Sequence, residues 1–147
     1  MKKAYILLVL ALGMFGGIQA QFKSVPAEVT NAFTTTYPEA KNVSWKSGFS
    51  GYEVRFDLGG DAVIAKYSNK GEWKETERNM QFDSLKPEVQ DGFFKSKYSK
   101  WEKKEVKELK EKDKDTLYRI YVRESSLSKR YLYFNAHGQL VKDSMTL

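Results

Sequence analysis

The chain echoes itself, and a twofold internal repeat restricts the fold more than any other feature of its 147 residues. Tyr67 to Trp73 joins two strand-like runs through Asn69-Lys70-Gly71, and Phe134 to Leu140 does the same through Ala136-His137-Gly138, the two glycines lying 67 residues apart. Tyr52-Glu53-Val54-Arg55-Phe56 is matched 66 residues later by Tyr118-Arg119-Ile120-Tyr121-Val122, and both runs alternate with the period of a half-buried strand. Pro26-Ala27-Glu28-Val29 with Phe33 is matched by Pro87-Glu88-Val89 with Phe93, Val29 and Val89 being 60 apart. The offset grows because the second copy carries extra residues around Glu102 to Asp115. The repeat predicts two units, about 24–80 and 83–147, too short to be separate enzyme-sized domains.

Each unit reads as a helix followed by strands. In the first, Ser24 is placed to cap a helix with an early proline, and Val29, Ala32, Phe33 and Tyr37 fall on one helical face before Pro38 stops it. Strands are expected at about Val43 to Lys46, Gly51 to Leu58, Ala62 to Ser68 and Glu72 to Arg78, with Gly59-Gly60 as a hairpin connection. The second unit starts with Ser84 and Pro87, carries Val89, Phe93 and Tyr98 along its helix, and gives strands near Leu117 to Arg123, Arg130 to Phe134 and Gln139 to Asp143. The Glu and Lys spacing of Trp101 to Lys114 also suits a solvated helix. Its place in the repeat favours a long exposed strand ending in a turn at Asp113 to Asp115.

The first residues set the compartment. Lys2 and Lys3, an apolar run from Ala4 to Ile18 broken by Gly13, Gly16 and Gly17, and then Gln19-Ala20 form the pattern of a secretory signal. Residues 1–20 are read as that signal, with cleavage after Ala20, and 21–147 as the mature domain. The uninterrupted apolar stretch falls short of the roughly 20 residues of a spanning helix, so no transmembrane segment is expected after signal removal. Removing Lys2 and Lys3 leaves 23 basic against 19 acidic residues, a mature charge of +4. Acidic and basic residues are interspersed, as in Glu102-Lys103-Lys104-Glu105, which argues against a nucleic-acid partner. With no cysteine the domain relies on core packing rather than disulfides.

The order Val25-Pro26-Ala27-Glu28-Val29, Phe33, Tyr37-Pro38, Ala40, Val43, Trp45, then Tyr52-Glu53-Val54, then Gly71-Glu72-Trp73 resembles the PepSY-like proteins of bacterial periplasms, grouped structurally with the beta-lactamase inhibitor protein. The resemblance implies an α+β fold: two tandem units, each a helix followed by four antiparallel strands, forming one curved sheet with both helices packed on one face. It implies no catalytic residues and no cofactor. The inhibitor in that group holds an enzyme on its open sheet face. It also has disulfides, which this chain cannot form, so inhibition of a beta-lactamase is not carried over.

If the helices cover the face bearing Tyr52, Val54, Phe56, Tyr118, Ile120 and Val122, alternation puts Glu53, Arg55, Asp57, Arg119, Tyr121 and Arg123 on the other. The same phase turns Leu132 and Phe134 inward and Tyr131 and Tyr133 outward. Arg119, Tyr121, Arg123, Tyr131 and Tyr133 are therefore the candidate protein-binding residues, because Tyr and Arg bury much area at modest entropic cost. An ordinary solvated face stabilised by cross-strand Tyr and Arg pairs is the competing interpretation.

Other chemistry is weakly signalled. His137, the single histidine, occupies a turn position, and without a thiolate or a second imidazole no transition-metal site is expected. Asp113 and Asp115 lack the glycine and distal glutamate of a calcium loop. Ser125, Ser126 and Ser128 sit in a loop with no partner histidine predicted nearby, and Glu72, Glu75 and Glu77 fall on alternating or outward strand positions next to lysine. Asp83-Ser84-Leu85, Asp115-Thr116-Leu117 and Asp143-Ser144-Met145 match an acceptor pattern for periplasmic O-glycosylation, making Ser84, Thr116 and Ser144 candidate modification sites, with helix capping at Ser84 and turn chemistry elsewhere as the competing interpretation. The expected function is that of an exported or periplasmic non-enzymatic module binding a protein or peptide through the open face. The alternative is a small-molecule carrier or envelope sensor with an apolar pocket lined by Trp45, Trp73 and Phe93.

Overall fold

The computed structural model describes residues 24–146; the expected signal segment lies outside the described residues. The elements run α1 (Ala27–Thr36), β1 (Lys41–Gly48), β2 (Gly51–Leu58), β3 (Asp61–Tyr67) and β4 (Trp73–Met80). After a 3-10 turn (Phe82–Ser84) come α2 (Pro87–Lys95), β5 (Glu102–Glu111), β6 (Leu117–Arg123), β7 (Lys129–Asn135) and β8 (Leu140–Met145). The eight strands form one antiparallel open sheet in the order of the chain, β1 to β8. Trp101 to Lys114 is mostly strand: solvated Glu and Lys pairs support an isolated helix only weakly, and pairing with both β4 and β6 outweighs them.

Both helices lie on the same side of the sheet. The cross-strand row Phe56, Val63, Arg78, Glu108, Tyr118, Phe134 runs from β2 to β7 with every member on one face. At the β2–β3 end of that face Val29 and Phe33 of α1 pack with Tyr52, Val54, Phe56, Val63, Ala65 and Tyr67. At the β6–β7 end Val89 and Phe93 of α2 pack with Val106, Tyr118, Ile120, Val122, Leu132 and Phe134. Removing the Phe93 ring, fully buried, would cost about 3–5 kcal/mol. Arg78 and Glu108 occupy the same face between the two apolar clusters, where Arg78 bonds Asp61 and Glu108 pairs with Lys110 at 2.9 Å.

Each helix is held by a glycine turn. Gly71 (φ +79°) brings the β3–β4 turn against the Glu28 carbonyl in the first turn of α1, where an added Cβ would stand 2.6 Å from the oxygen. Gly138 (φ +76°) does the same at the Glu88 carbonyl of α2, at 1.9 Å. Neither the positive φ nor the space admits another side chain cheaply.

Three local expectations need correction. Ser24 does not cap α1; the N-cap is Pro26, without a side-chain hydrogen bond. Ser84 does not cap α2, which begins at Pro87 after Lys86, because Ser84 is taken up in the 3-10 turn and the proline's preset φ starts the helix unaided. Tyr98 lies beyond the end of α2, yet it enters the same core and donates a hydrogen bond to the Asp143 carboxylate at 2.5 Å.

Candidate binding face

Opposite the helices the sheet has no covering element among the described residues. On β6 to β8 the positions alternating with the core are Leu117, Arg119, Tyr121 and Arg123, then Lys129, Tyr131, Tyr133 and Asn135, then Lys142 and Ser144. All five candidate residues therefore share one face. Tyr121 stands across from Tyr131, with ring centroids 5.1 Å apart and planes tilted by 41°. The Arg119 guanidinium lies 4.9 Å from the centre of the Tyr131 ring, and the Lys142 ammonium 5.2 Å from that of Tyr133.

The five residues do different work. Arg119 is less accessible than Arg123: its side chain is 17% exposed, held to Glu105 at 3.3 Å and Glu77 at 3.7 Å, with Nε buried and unpaired. It supports Tyr131 from below. Lys107 shares both carboxylates, at 3.1 Å from Glu77 and 3.6 Å from Glu105, so two cations and two acids on β4, β5 and β6 form a compact network. Arg123 is 42% exposed and engages Glu102 through Nε and Nη2, at 3.1 and 2.7 Å. Lys104 and Arg123 together hold the Glu102 carboxyl below the usual carboxylate range. Tyr121, Tyr131, Tyr133 and Arg123 thus make up the candidate surface, with Arg119 held against the Tyr131 ring. Arginine's alternation predicts its face; only the neighbouring acids and the overlying ring determine its depth. The meeting of Lys107 with Glu77 and Glu105 was not foreseen from sequence, because the β4–β5 register that brings Lys107 to Glu77 joins residues 30 apart.

The aromatics named for a carrier pocket are part of the core. Phe93 meets Phe82 and Phe94 edge-on, Trp45 meets Phe33 at 5.3 Å, and the Trp73 indole donates to the Thr76 hydroxyl at 2.8 Å. His137 sits exposed in the β7–β8 turn, its backbone N–H donating to the Asn135 side chain. Among the candidate modification sites, Ser84 is exposed, whereas Thr116 and Ser144 are half-buried. Ser144 stands directly across from Tyr131 on the open face.

This arrangement, a two-helix layer on one side and an open antiparallel face on the other, has counterparts. The family described as "Putative beta-lactamase-inhibitor-like, PepSY-like" matches residues 50–142. The chain belongs to this family. No curated protein matches it. Among solved structures, a BLIP-like protein from Bacteroides fragilis NCTC 9343 superposes with a TM-score of 0.79 at 21% identity, covering 84% of this chain and 88% of that one. A DUF2874 family protein from Bacteroides ovatus ATCC 8483 gives 0.77 at 24% identity, covering 82% and 87%. A protein from Bacteroides eggerthii DSM 20697, described as a "putative periplasmic" protein, gives 0.75 at 19% identity, covering 82% and 88%. At these identities the likeness is one of fold. The family's description is inhibitor-like rather than catalytic, and no helix among the described residues is long and apolar enough to cross a membrane.

Proposed function

We propose that this PepSY-like chain is an exported, non-enzymatic module that engages a protein or peptide in the periplasm through the open face of its sheet. The observation that carries the reading is the packed pair of Tyr121 and Tyr131, with the Arg119 guanidinium against the Tyr131 ring, on a face that no helix among the described residues covers. Rigid aromatic rings backed by a fixed guanidinium lose little conformational freedom when a partner covers them, which is why such residues dominate binding energies. The family's inhibitor-like description is in keeping with recognition of another protein, without naming one.

The repeat belongs to the same proposal: the two halves are copies of one helix-plus-four-strand unit. Each half has its glycine turn against the helix and a register slip between its first two strands, at Lys41/Ser44 and Lys103/Glu105. A second slip joins the last two strands of each, at Lys66/Tyr67 and Tyr133/Phe134. O-glycosylation at Ser84, Thr116 or Ser144 remains part of the exported reading. A native-host mature mass equal to the bare chain would remove that element.

The test is affinity capture from a periplasmic extract of the native host. Wild type should retain a partner that the folded Tyr121→Ala, Arg123→Ala double variant loses. Equal capture by both forms would reject this face as the binding surface.

A further inference from the structure

We infer that the open face of β6 to β8 takes an acidic segment of a partner protein, lying across the tyrosines with carboxylates near Lys129 and Lys142. This rests on the reading of that face as a protein-binding surface. Its outward positions carry four cations, Arg119, Arg123, Lys129 and Lys142, and no carboxylate. Arg119 and Arg123 already have acids from β4 and β5. Neither Lys129 nor Lys142 has a carboxylate within 4.0 Å among the described residues; Lys142 rests over the Tyr133 ring instead.

The spacing narrows the partner. Lys142 pairs across the strands with Tyr133, four residues along β7 from Lys129, so the backbone positions of the two lysines are about 13 Å apart along the strand direction. Tyr121 and Tyr131 lie between them. A complementary segment presents acids at both ends of a central stretch that covers the rings, and the tyrosine hydroxyls add donors for its carboxylates. An anionic bilayer would match the charge but fits the face less well, since binding a membrane surface is strengthened by apolar side chains that enter it. Of the exposed apolar residues of β8, Leu140 and Met145 point to the helix side, in register with Phe134 and Arg130, and Val141 stands at the register slip between β7 and β8, so they add no apolar patch in register with Lys129 and Lys142.

The test uses fluorescence anisotropy with labelled peptides about 12 residues long, acidic, neutral or basic around one shared central sequence, together with vesicles of anionic lipid. Three forms are compared: wild type, Lys129→Glu with Lys142→Glu, and Tyr121→Ala with Tyr131→Ala, each checked for folding by circular dichroism. The expected result is preference for the acidic peptide, weakened about tenfold or more by the charge reversal and by the tyrosine pair. Binding should also weaken several-fold between about 50 and 300 mM salt. Replacing both lysines by arginine should preserve it.

Acidic and neutral peptides binding equally, and both lost with the tyrosines, would overturn the acidic partner and leave the face reading standing. Acidic binding indifferent to both double variants would overturn the two together. Binding to vesicles alone, or to no peptide, would overturn the acidic segment, leaving the capture experiment to judge the face.

Discussion

The open face of β1 to β4 and that of β6 to β8 differ in how their charge is disposed. Strands β1 to β4 carry Lys41, Lys46, Arg55 and Lys66 against Glu53, Asp57, Glu75 and Glu77, and the row Lys46, Glu53, Lys66, Glu75 alternates sign from strand to strand. Strands β6 to β8 carry cations and tyrosines without an acid. On β1 to β4 acids and bases match in number, although Glu77 pairs with Lys107 and Arg119; β6 to β8 take acids from β4 and β5 and still leave Lys129 and Lys142 over. One sheet thus carries a charge-balanced region and a cationic one. The helix sides differ as well. Ala32 of α1 and Gly92 of α2 each stand four residues after the glutamate whose carbonyl the turn glycine meets. A Cβ on Gly92 would come within 1.9 Å of the Gly138 oxygen, so the second turn sits closer to its helix than the first.

The largest test of that asymmetry is at the glycines. Gly138→Ala should destabilise the protein by about 3 kcal/mol or more, and Gly71→Ala by about 2 kcal/mol, measured from urea midpoints, since backbone cannot yield as a side-chain end can. Gly92→Ala sharpens the point. In an ordinary helix interior this change stabilises by about 1 kcal/mol; here it should destabilise, and a stabilised Gly92→Ala protein would mean the two turns pack alike.

A smaller effect separates two ion-pair arrangements on the open face. Glu77→Gln leaves Lys107 and Arg119, 15% and 17% exposed, sharing one acid, and should cost about 1–2 kcal/mol. Glu75→Gln loosens only Lys66, 43% exposed, and should cost under about 1 kcal/mol, falling further in salt. Equal costs in denaturant titrations would erase the distinction between a ladder and a network.

The strand phases were legible because alternation survives any ambiguity of boundary: Tyr52, Val54, Phe56, Tyr118, Ile120 and Val122 all point inward. Helix starts were less so, since a serine in capping position competes with proline and with a preceding 3-10 turn, as at Ser84. The face of each binding candidate could be read from the sequence, but not the burial of Arg119 beneath Tyr131 or the contact of Gly92 with Gly138. Both depend on which distant strands and turns come to lie together.

The smallest expected effect concerns pH, and belongs to the second half alone. The hydrogen bond from Tyr98, aided by Arg130 and Lys97, holds the Asp143 carboxyl below its ordinary value. A carboxyl with a depressed folded pKa contributes stability above its unfolded pKa of about 3.9 and loses it as pH falls through the folded value. The stability gap between wild type and Asp143→Asn should therefore be constant above about pH 5 and close at lower pH. A gap that widens on acidification would show the carboxyl raised instead.

The order of the strands carries a consequence for how the molecule is made. Every strand pairs with the one before it in the chain, so no pairing waits for a segment still to come, and α1 precedes the strands that it covers. Loop closures are therefore short throughout, apart from the α2 excursion between β4 and β5. A chain delivered from its N-terminus can lay down α1 to β4 with its own apolar cluster before α2 arrives, and the edge of β4 is then the template on which β5 begins the second half.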